Sequence, residues 1–373
     1  MFNRWWWATF PLNVISLFIA TAFLVSCASQ DKRESSSAST AEKPDAIGKV
    51  IEETPSDAES RPKPELRSAA EIENLTIGEV IRIEEPNTAN LYDNSRYDFP
   101  ITMNSKVEGW IDYFTGRGRP HMERYLSRSS RYIPRMKEAL RKTGMPEDLV
   151  YLALIESGFN LRAKSRAKAV GPWQFIKSTG VRYGLRVDAW IDERRDPLRS
   201  TEAASKYLKD LYLMFESWYL AASAYNAGEY KILRAIEELH TNNYWRICET
   251  RVLRRETKDY IPKLIAAAII AKNPNRYGFD DVAYQDPLEF ETIHVDFPVR
   301  LGELAKIVDA PEEDLEDLNP ALRRGIVPPG EAFEIRVPVG SRLIAERAIA
   351  SLKKKPDSQE EGISYIMSYY ATI

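Results

Sequence analysis

Cysteine and histidine are scarce in this sequence, and each shortage excludes a class of protein. The 373 residues contain two cysteines, Cys27 and Cys248. Small disulfide-stapled folds use several cysteine pairs, so that class is excluded. The three histidines, at positions 121, 240 and 294, lie too far apart to form a metal-ligand pair on one helix. We therefore expect neither a metal ion nor a cofactor.

An excess of charge of one sign is also missing. The 52 basic and 55 acidic residues give a formal net charge of −3, so the overall charge does not attract nucleic acid. Hydrophobic residues make up 44% of the chain, as in soluble proteins with a packed core. This composition excludes a wholly disordered chain, a collagen-like chain and a membrane protein with many spans. The length indicates two or three domains.

The N-terminus has the order of parts that is typical of a bacterial lipoprotein signal. Arg4 precedes a nearly apolar run, Trp5–Val25, and Leu24-Val25-Ser26-Cys27 resembles a lipobox. We predict that residues 1–27 are a signal peptide and that Cys27 is acylated as the mature N-terminus. An uncleaved membrane anchor is the alternative, because the run is just long enough to span a bilayer. Either way, the rest of the chain is expected outside the cytoplasm.

Ala28 and Ser29 follow the cysteine, and neither is the Asp that favours inner-membrane retention in lipoprotein sorting. We therefore expect a lipid anchor in the outer membrane that faces the periplasm.

Residues 28–94 are predicted to form a disordered tether. Between Ala28 and Ala70 there is no aromatic residue, while serine, proline and charged residues of both signs are frequent. Such a segment buries too little apolar surface to offset its conformational entropy.

The remaining chain predicts a mainly α fold with a small α+β domain after it. Apolar residues recur at helical spacing through residues 95–279, which we assign to one helical domain. The composition then becomes acidic, and the pattern between Phe290 and Val337 predicts strand, helix, helix and strand. We assign residues 280–340 to this small domain. Residues 341–373 are expected to be a C-terminal helix and tail without an assigned role.

One carboxylate has the surroundings of a general acid. Glu156 follows an apolar helical run, with no basic residue close to it in sequence. The negative end of the helix dipole and partial burial would both raise its pKa and favour the protonated form near neutral pH. An acid of this kind can protonate a leaving-group oxygen. The alternative is a solvated glutamate at a helix end that takes no part in chemistry.

Three motifs change the balance between these readings. They resemble, in the correct order, the signature of the soluble-lytic-transglycosylase family. The first motif consists of Glu156-Ser157, Ser165, Gly171-Pro172-Trp173-Gln174-Phe175 and Ser178-Thr179-Gly180. The second is Ala224-Tyr225-Asn226-Ala227-Gly228, and the third is Glu256-Thr257-Lys258-Asp259-Tyr260-Ile261-Pro262. Pro172-Trp173 departs from the Leu-Met of many relatives, and we expect this change to alter one wall of the cleft.

The resemblance implies a lysozyme-like helical catalytic domain that cleaves peptidoglycan glycan strands. It implies that Glu156 protonates the oxygen bridging N-acetylmuramic acid and N-acetylglucosamine, then accepts the proton of the muramyl C6 hydroxyl as a 1,6-anhydro ring forms. The residues that it implies around the substrate are Ser165, Gln174, Tyr225, Asn226 and Tyr260. From the sequence alone, the two tyrosines could equally be packing residues of the helical core.

Two rival functions remain open at this point. A lysozyme-type hydrolase would need a second carboxylate, for which Asp192, Glu193 and Asp196 are the nearby candidates. We interpret all three as structural, because arginines that can pair with them are adjacent in sequence. The second rival is an inactive lipoprotein that only binds glycan strands.

The small domain resembles a degenerate LysM-type glycan-binding module. The turn at Asn319-Pro320 and the pair Pro329-Gly330 fit that pattern, whereas Pro298–Leu301 replaces the usual turn after the first strand. A docking or structural role is therefore as plausible as glycan binding. Separately, the basic run Arg117–Lys142 predicts a solvated helical face, or else contact with an anionic polymer or membrane surface.

Overall fold

Helices dominate the part of the chain that the computed structural model describes, residues 96–353. The predicted signal peptide with Cys27, the predicted tether and the residues after 353 lie outside these residues. The helices of the first domain are α1 Ser105–Thr115, α2 Arg119–Lys142, α3 Val150–Ser157, α4 Lys177–Arg182, α5 Pro197–Phe215, α6 Trp218–Ala227, α7 Glu229–Leu239, α8 Tyr244–Glu249 and α9 Arg255–Lys272. Within residues 96–353, no helix has both the length and the apolar character needed to cross a membrane.

Helix α9 is the centre of the first domain. Its residues from Tyr260 to Ile270 are buried except Lys263, and it packs against α1, α3 and α6. A helix that is apolar on all sides has to be surrounded by other elements. The small side chains of residues 266–268 let neighbouring helices approach closely. The position of α9 therefore fixes where its few polar side chains can point.

Helix α3 is short because of one glycine. Gly158 ends it in the left-handed conformation, with φ of 58°, and its amide hydrogen-bonds to the carbonyl of Leu154. A Cβ at this position would lie 1.9 Å from the ring of Tyr125, so any other residue would clash. The helix therefore stops directly after Glu156 and Ser157, and Glu156 lies in its last turn.

The basic run of α2 holds the segment that connects the two domains. Arg119 donates from Nη2 to the Gly278 carbonyl at 2.5 Å, and Arg135 donates from Nε to the Leu288 carbonyl at 3.3 Å. The Arg135 guanidinium also lies over the ring of Phe290. The expected solvated helical face is thus only part of the description, because these cations bind the chain itself.

The second domain has the expected strand, helix, helix and strand, followed by one more helix. Its elements are β1 Glu291–Val295, α10 Leu301–Ile307, α11 Glu312–Leu318, β2 Phe333–Val337 and α12 Arg342–Leu352. The strands pair antiparallel, with Ile293 opposite Ile335 in a second hydrophobic core. Ala345 and Ile349 of α12 complete that core. The predicted class, mainly α with a small α+β domain, is confirmed, although the domain boundaries drawn from the sequence stay predictions.

Two helices of the first domain are too short to be predicted from sequence periodicity. Helices α4 and α8 have six residues each, which is less than two turns and too short for an apolar stripe to be recognised. Helix α8 begins at a side-chain cap, where Asn243 accepts the amides of Trp245 and Arg246.

A buried ion-pair cluster fixes the chain ahead of α3. Asp148 is 3% exposed and accepts from Lys272 Nζ at 2.5 Å, Lys137 Nζ at 3.4 Å and the Asp98 amide at 3.1 Å. It therefore ties the two long helices α2 and α9 to the start of the segment that carries Glu156.

We expect Asp148→Asn to lower the free energy of unfolding by about 3 kcal/mol, because it leaves two lysines without their buried partner. Urea denaturation measures this change. The matched control is Glu147→Gln, which breaks an exposed pair with Arg141 and is expected to cost less than about 1 kcal/mol. Equal losses in the two variants would contradict the structural role of Asp148.

Candidate active site

The site is built around the carboxyl group of Glu156, which lies between α3 and α9. The hydroxyl of Tyr260 donates to Glu156 Oε1 at 2.6 Å. Burial raises the pKa of the Glu156 carboxyl above its ordinary value of 4.5, while the Tyr260 hydrogen bond acts in the opposite direction. The side chain remains half-buried. Burial of the carboxyl thus favours its protonated form, although part of the side chain remains accessible to solvent.

Lys263 is a cation near this carboxyl that sequence reasoning did not find. It lies one helical turn after Tyr260 on α9, and its ammonium donates to the Ile155 carbonyl at 3.1 Å. Burial lowers the pKa of Lys263, and the charge of Glu156 raises it in part. In return the lysine lowers the pKa of Glu156. The spacing of Tyr260 and Lys263 on one face of a helix was the available signal.

The segment from Gly158 to Ile176, here called the active-site loop, is fastened to the end of α3. Ser157, the neighbour of Glu156, donates from Oγ to the Pro172 carbonyl at 2.9 Å. Ser157 appeared in the sequence motif without an assigned role. This hydrogen bond joins the residue beside the candidate acid to the Gly-Pro-Trp-Gln-Phe motif.

Tyr225 fastens the same loop from the side of α6. Its hydroxyl donates to the Trp173 carbonyl at 2.7 Å. Burial raises the pKa of Tyr225 well above 10, and the nearby charge of Glu156 raises it further. Tyr225 therefore lies close to the carboxyl as well as to the loop. Asn226 follows it in the last turn of α6 and is half-buried.

The motif tryptophan packs inside the protein. Trp173 is fully buried, and its Nε1 donates to the hydroxyl of Thr201 on α5 at 2.9 Å. The expectation that Pro172-Trp173 alters a wall of the cleft is therefore wrong for the indole. A side chain with no exposed surface can anchor the loop but cannot touch a ligand.

Ser165 and Gln174 lie at two tight turns of the active-site loop. The Ser165 hydroxyl accepts the Ala169 amide at 3.1 Å. Gln174 has a φ of 51°, which is uncommon for a residue other than glycine, and donates from Nε2 to the Gly171 carbonyl at 2.8 Å. Both side chains are half-buried. Their contact with a substrate stays a prediction.

The three other carboxylates considered from the sequence bind arginines. Asp192 receives a two-pronged interaction from Arg194, with Nε and Nη2 each 2.8 Å from one of its oxygens. Glu193 pairs with Arg199 at 3.2 Å. Asp196 accepts hydrogen bonds from the first amides of α5 and forms an ion pair with Arg336 of the second domain. These partners fit the structural interpretation of all three. Among residues 96–353, no group of three or more His, Cys, Asp or Glu side chains could hold a metal ion.

Replacing the candidate acid should reveal its raised pKa as a change in stability. Because native Glu156 keeps its proton to a higher pH than the unfolded chain does, the contribution of this group to the free energy of unfolding falls as pH rises from about 4.5 through its raised native pKa. We expect Glu156→Gln to match the parent protein near pH 4 and to have a higher thermal midpoint at pH 8. Thermal unfolding at both pH values measures this difference.

The exposed Glu138 of α2 supplies the control for that measurement, because its pKa is lowered by its hydrogen bond to Lys142. Glu138→Gln should give no gain in thermal midpoint at pH 8. A Glu156→Gln variant that is less stable than the parent protein at pH 8 would contradict burial as the main influence on this carboxyl.

The hydrogen bond from Tyr260 should be visible in the titration of Glu156. This bond stabilises the carboxylate, so Tyr260→Phe is expected to raise the pKa of Glu156 further. Carbon-13 NMR of the glutamate carboxyl groups measures the shift. Tyr244→Phe is the matched control, because it removes a buried hydroxyl that donates to the Lys258 carbonyl at 2.9 Å instead. A lower Glu156 pKa in Tyr260→Phe would overturn this assignment.

Two segments of the chain match known families. Residues 134–247 match the family described as Transglycosylase SLT domain, and residues 289–354 match the one described as Lytic transglycosylase MltD, LysM-like domain. The chain is 32% identical over 212 residues to membrane-bound lytic murein transglycosylase D of Escherichia coli (strain K12), covering 56% of this chain and 46% of that protein. It is 39% identical over 103 residues to peptidoglycan transglycosylase gp16 of Escherichia phage T7, covering 27% of this chain and 8% of that protein.

Among solved structures, the chain is similar to the 70 kDa soluble lytic transglycosylase of Escherichia coli. The identity is 20%, the TM-score is 0.34, and the match covers 41% of this chain and 25% of that chain. The chain therefore spans less than half the length of the Escherichia coli relatives that it matches. From the two family matches, residues 134–247 are similar to the transglycosylase SLT domain family, and residues 289–354 are similar to the LysM-like domain of the lytic transglycosylase MltD.

Proposed function

We propose that this protein is a peptidoglycan lytic transglycosylase, a lyase that cleaves the β-1,4 bond between N-acetylmuramic acid and N-acetylglucosamine without water. The observation that carries this proposal is one carboxyl of raised pKa, Glu156, held by Tyr260 at 2.6 Å. The match of residues 134–247 to the transglycosylase SLT domain supports the same reaction class. The relatives are named as transglycosylases of murein and of peptidoglycan, and we assign the same polymer to this protein.

In the first step Glu156 acts as a general acid. Its carboxyl gives a proton to the bridging oxygen, and the bond from that oxygen to C1 of the muramyl residue breaks. The leaving N-acetylglucosamine end becomes a hydroxyl, and positive charge develops at C1 and the ring oxygen. The raised pKa of Glu156 lets the carboxyl keep this proton to a higher pH than an ordinary glutamate would.

In the second step the same group acts as a base. The Glu156 carboxylate accepts the proton of the muramyl C6 hydroxyl, and O6 bonds to C1 to close a 1,6-anhydro ring. No water is consumed, and Glu156 regains its proton. The Tyr260 hydroxyl stabilises the carboxylate between the two steps, because a hydrogen bond to the charged form favours it.

Most two-carboxylate glycosidases need a second acidic residue as a nucleophile or to activate water. The carboxylates of Asp192, Glu193 and Asp196 bind Arg194, Arg199 and the amides of α5 instead. That arrangement favours the mechanism with a single glutamate over hydrolysis.

The polar groups of the loop and of α6 are proposed to hold the substrate. Ser165 and Gln174 would hydrogen-bond to the N-acetyl or hydroxyl groups of the sugars beside Glu156. Tyr225 and Asn226 would form the floor of the cleft. The proposed location is the periplasmic face of the outer membrane, where acylation of Cys27 would anchor the enzyme for cell-wall turnover.

The chemistry of the product tests this proposal. Purified sacculi are digested with the protein lacking residues 1–27, and the released muropeptides are analysed by mass spectrometry. We expect products one water lighter than reducing muropeptides. Glu156→Gln should reduce their release by about 100-fold to 10,000-fold, because it removes the only proposed proton donor and acceptor.

The exposed Glu138 again supplies the control, since Glu138→Gln should release the same products at the parent rate. Reducing products would show a lysozyme-type hydrolase. Bound but undigested sacculi would show a glycan-binding lipoprotein. Full activity in Glu156→Gln would rule out the assigned mechanism.

A further inference from the structure

The second domain binds one loop of the first domain, residues 186–196, here called the bridging loop. Ile191 of this loop is fully buried in the core of the second domain. Its backbone forms a β-bridge with Leu322, and the Asp192 amide donates to the Ala321 carbonyl at 2.8 Å. The bridging loop is therefore part of the second core, although it belongs to the first domain in sequence.

Ion pairs fix both ends of the same loop to the second domain. Arg186 binds Glu331 at 2.6 Å, and Arg336 binds Asp196 at 2.7 Å. The second pair is largely buried, with side-chain exposures of 15% for Arg336 and 7% for Asp196, so solvent screens it weakly. Backbone and side-chain contacts together thus fix the position of the second domain relative to the bridging loop.

The opposite side of the bridging loop holds the active-site loop. The buried Arg194 guanidinium donates from Nη1 to the Phe175 carbonyl at 3.0 Å and to the Lys168 carbonyl at 3.2 Å. The two-pronged interaction with Asp192 fixes the orientation of this guanidinium. Asp192 is in turn held by the hydrogen bond that its backbone amide donates to the Ala321 carbonyl.

The two loops also touch backbone to backbone. Gly171 begins the Gly-Pro-Trp-Gln-Phe motif with a φ of 84°. A Cβ at this position would lie 1.7 Å from the Arg194 carbonyl oxygen, so only glycine allows this approach. The motif that contains Gln174 therefore rests directly on the bridging loop.

We propose that the second domain positions the active-site loop for turnover, with Asp192 and Arg194 as the positioning residues. A chain of contacts leads from Ala321 through Asp192 and Arg194 to the Phe175 carbonyl. This inference rests on the proposed function, since it assigns a role in that same reaction. It gives the LysM-like domain a role that does not require it to bind glycan.

A positioning role and a glycan-binding role affect different kinetic constants. Loop groups that contact the transition state lose rate when they are displaced, and a displacement near 1 Å can cost about 100-fold. Loss of a glycan-binding surface weakens binding of substrate and transition state alike, so it raises KM and leaves kcat unchanged. The split between kcat and KM therefore distinguishes the two roles.

Two variants weaken the contact chain from opposite sides. Arg194→Lys keeps the positive charge beside Asp192 but cannot make the same set of directed hydrogen bonds. Leu322→Ala weakens the packing of the second domain against Ile191 of the bridging loop and leaves the sequence of the first domain unchanged. The matched control is Ile349→Ala, which destabilises the second core from α12, a helix that supplies none of the β-bridge, backbone hydrogen bond and ion pairs described above.

Kinetics on soluble glycan strands are measured at 25 °C, where circular dichroism confirms that each full-length variant is folded. We expect both positioning variants to lower kcat by about 10-fold to 100-fold with little change in KM. Ile349→Ala should lower the thermal midpoint and keep kcat. Hydrogen exchange gives a second readout: the Val170 and Gly171 amides, which bond to Phe175 and Ala163 within the loop, should exchange faster only in the positioning variants.

An unchanged kcat in both positioning variants would overturn the inference, as would a rise in KM alone. An equal loss of kcat in Ile349→Ala would also overturn it, because stability would then explain the effect. If the parent protein itself releases no anhydro product, the proposed function fails instead. The exchange rates of the loop amides would still show in that case whether the second domain orders the loop.

Discussion

The burial of one carboxyl group against a central helix is the constraint on which the rest of the site depends. A dry environment raises the pKa of Glu156, and α9 supplies the Tyr260 hydroxyl and the Lys263 charge that limit this rise. More solvent around Glu156 would leave it with the pKa of an ordinary glutamate, and without Tyr260 and Lys263 burial would disfavour its charged form more strongly. Helix α9 can supply both partners because it is buried over most of its length.

The active-site loop has little regular structure, so its shape has to come from its neighbours. Ser157 holds it at the end of α3, Tyr225 holds it from α6, and Arg194 holds it from the bridging loop. Each of these three side chains binds a backbone carbonyl of the loop. Such bonds fix the path of the chain and leave the side chains of Ser165 and Gln174 to be positioned by the backbone that carries them. A substrate would meet a preformed surface, which costs less entropy than ordering a loop on binding.

The second domain shows how a module can be adapted to its neighbour. Asn319, one of the residues that resembles a LysM turn, is buried and holds the backbone of Arg336 on both sides through its amide group. Arg336 then reaches Asp196 at the start of α5. The basic side chains of α2 bind the connecting segment in the same way, so Arg119 and Arg135 are used within the molecule. Features that suggested external partners thus have partners in the same chain.

The sequence by itself determined the helical class, the strand, helix, helix and strand order, and the identity of the candidate acid. These features are local: apolar spacing defines helices, and motif residues such as Glu156 stand at fixed intervals along the chain. The tertiary structure alone decided what surrounds them. Lys263 reaches α3 from more than a hundred residues away, the motif Trp173 turns into the core, and the bridging loop joins two domains. Long-range packing sets these positions, because contacts between distant segments leave no periodic trace in a single sequence.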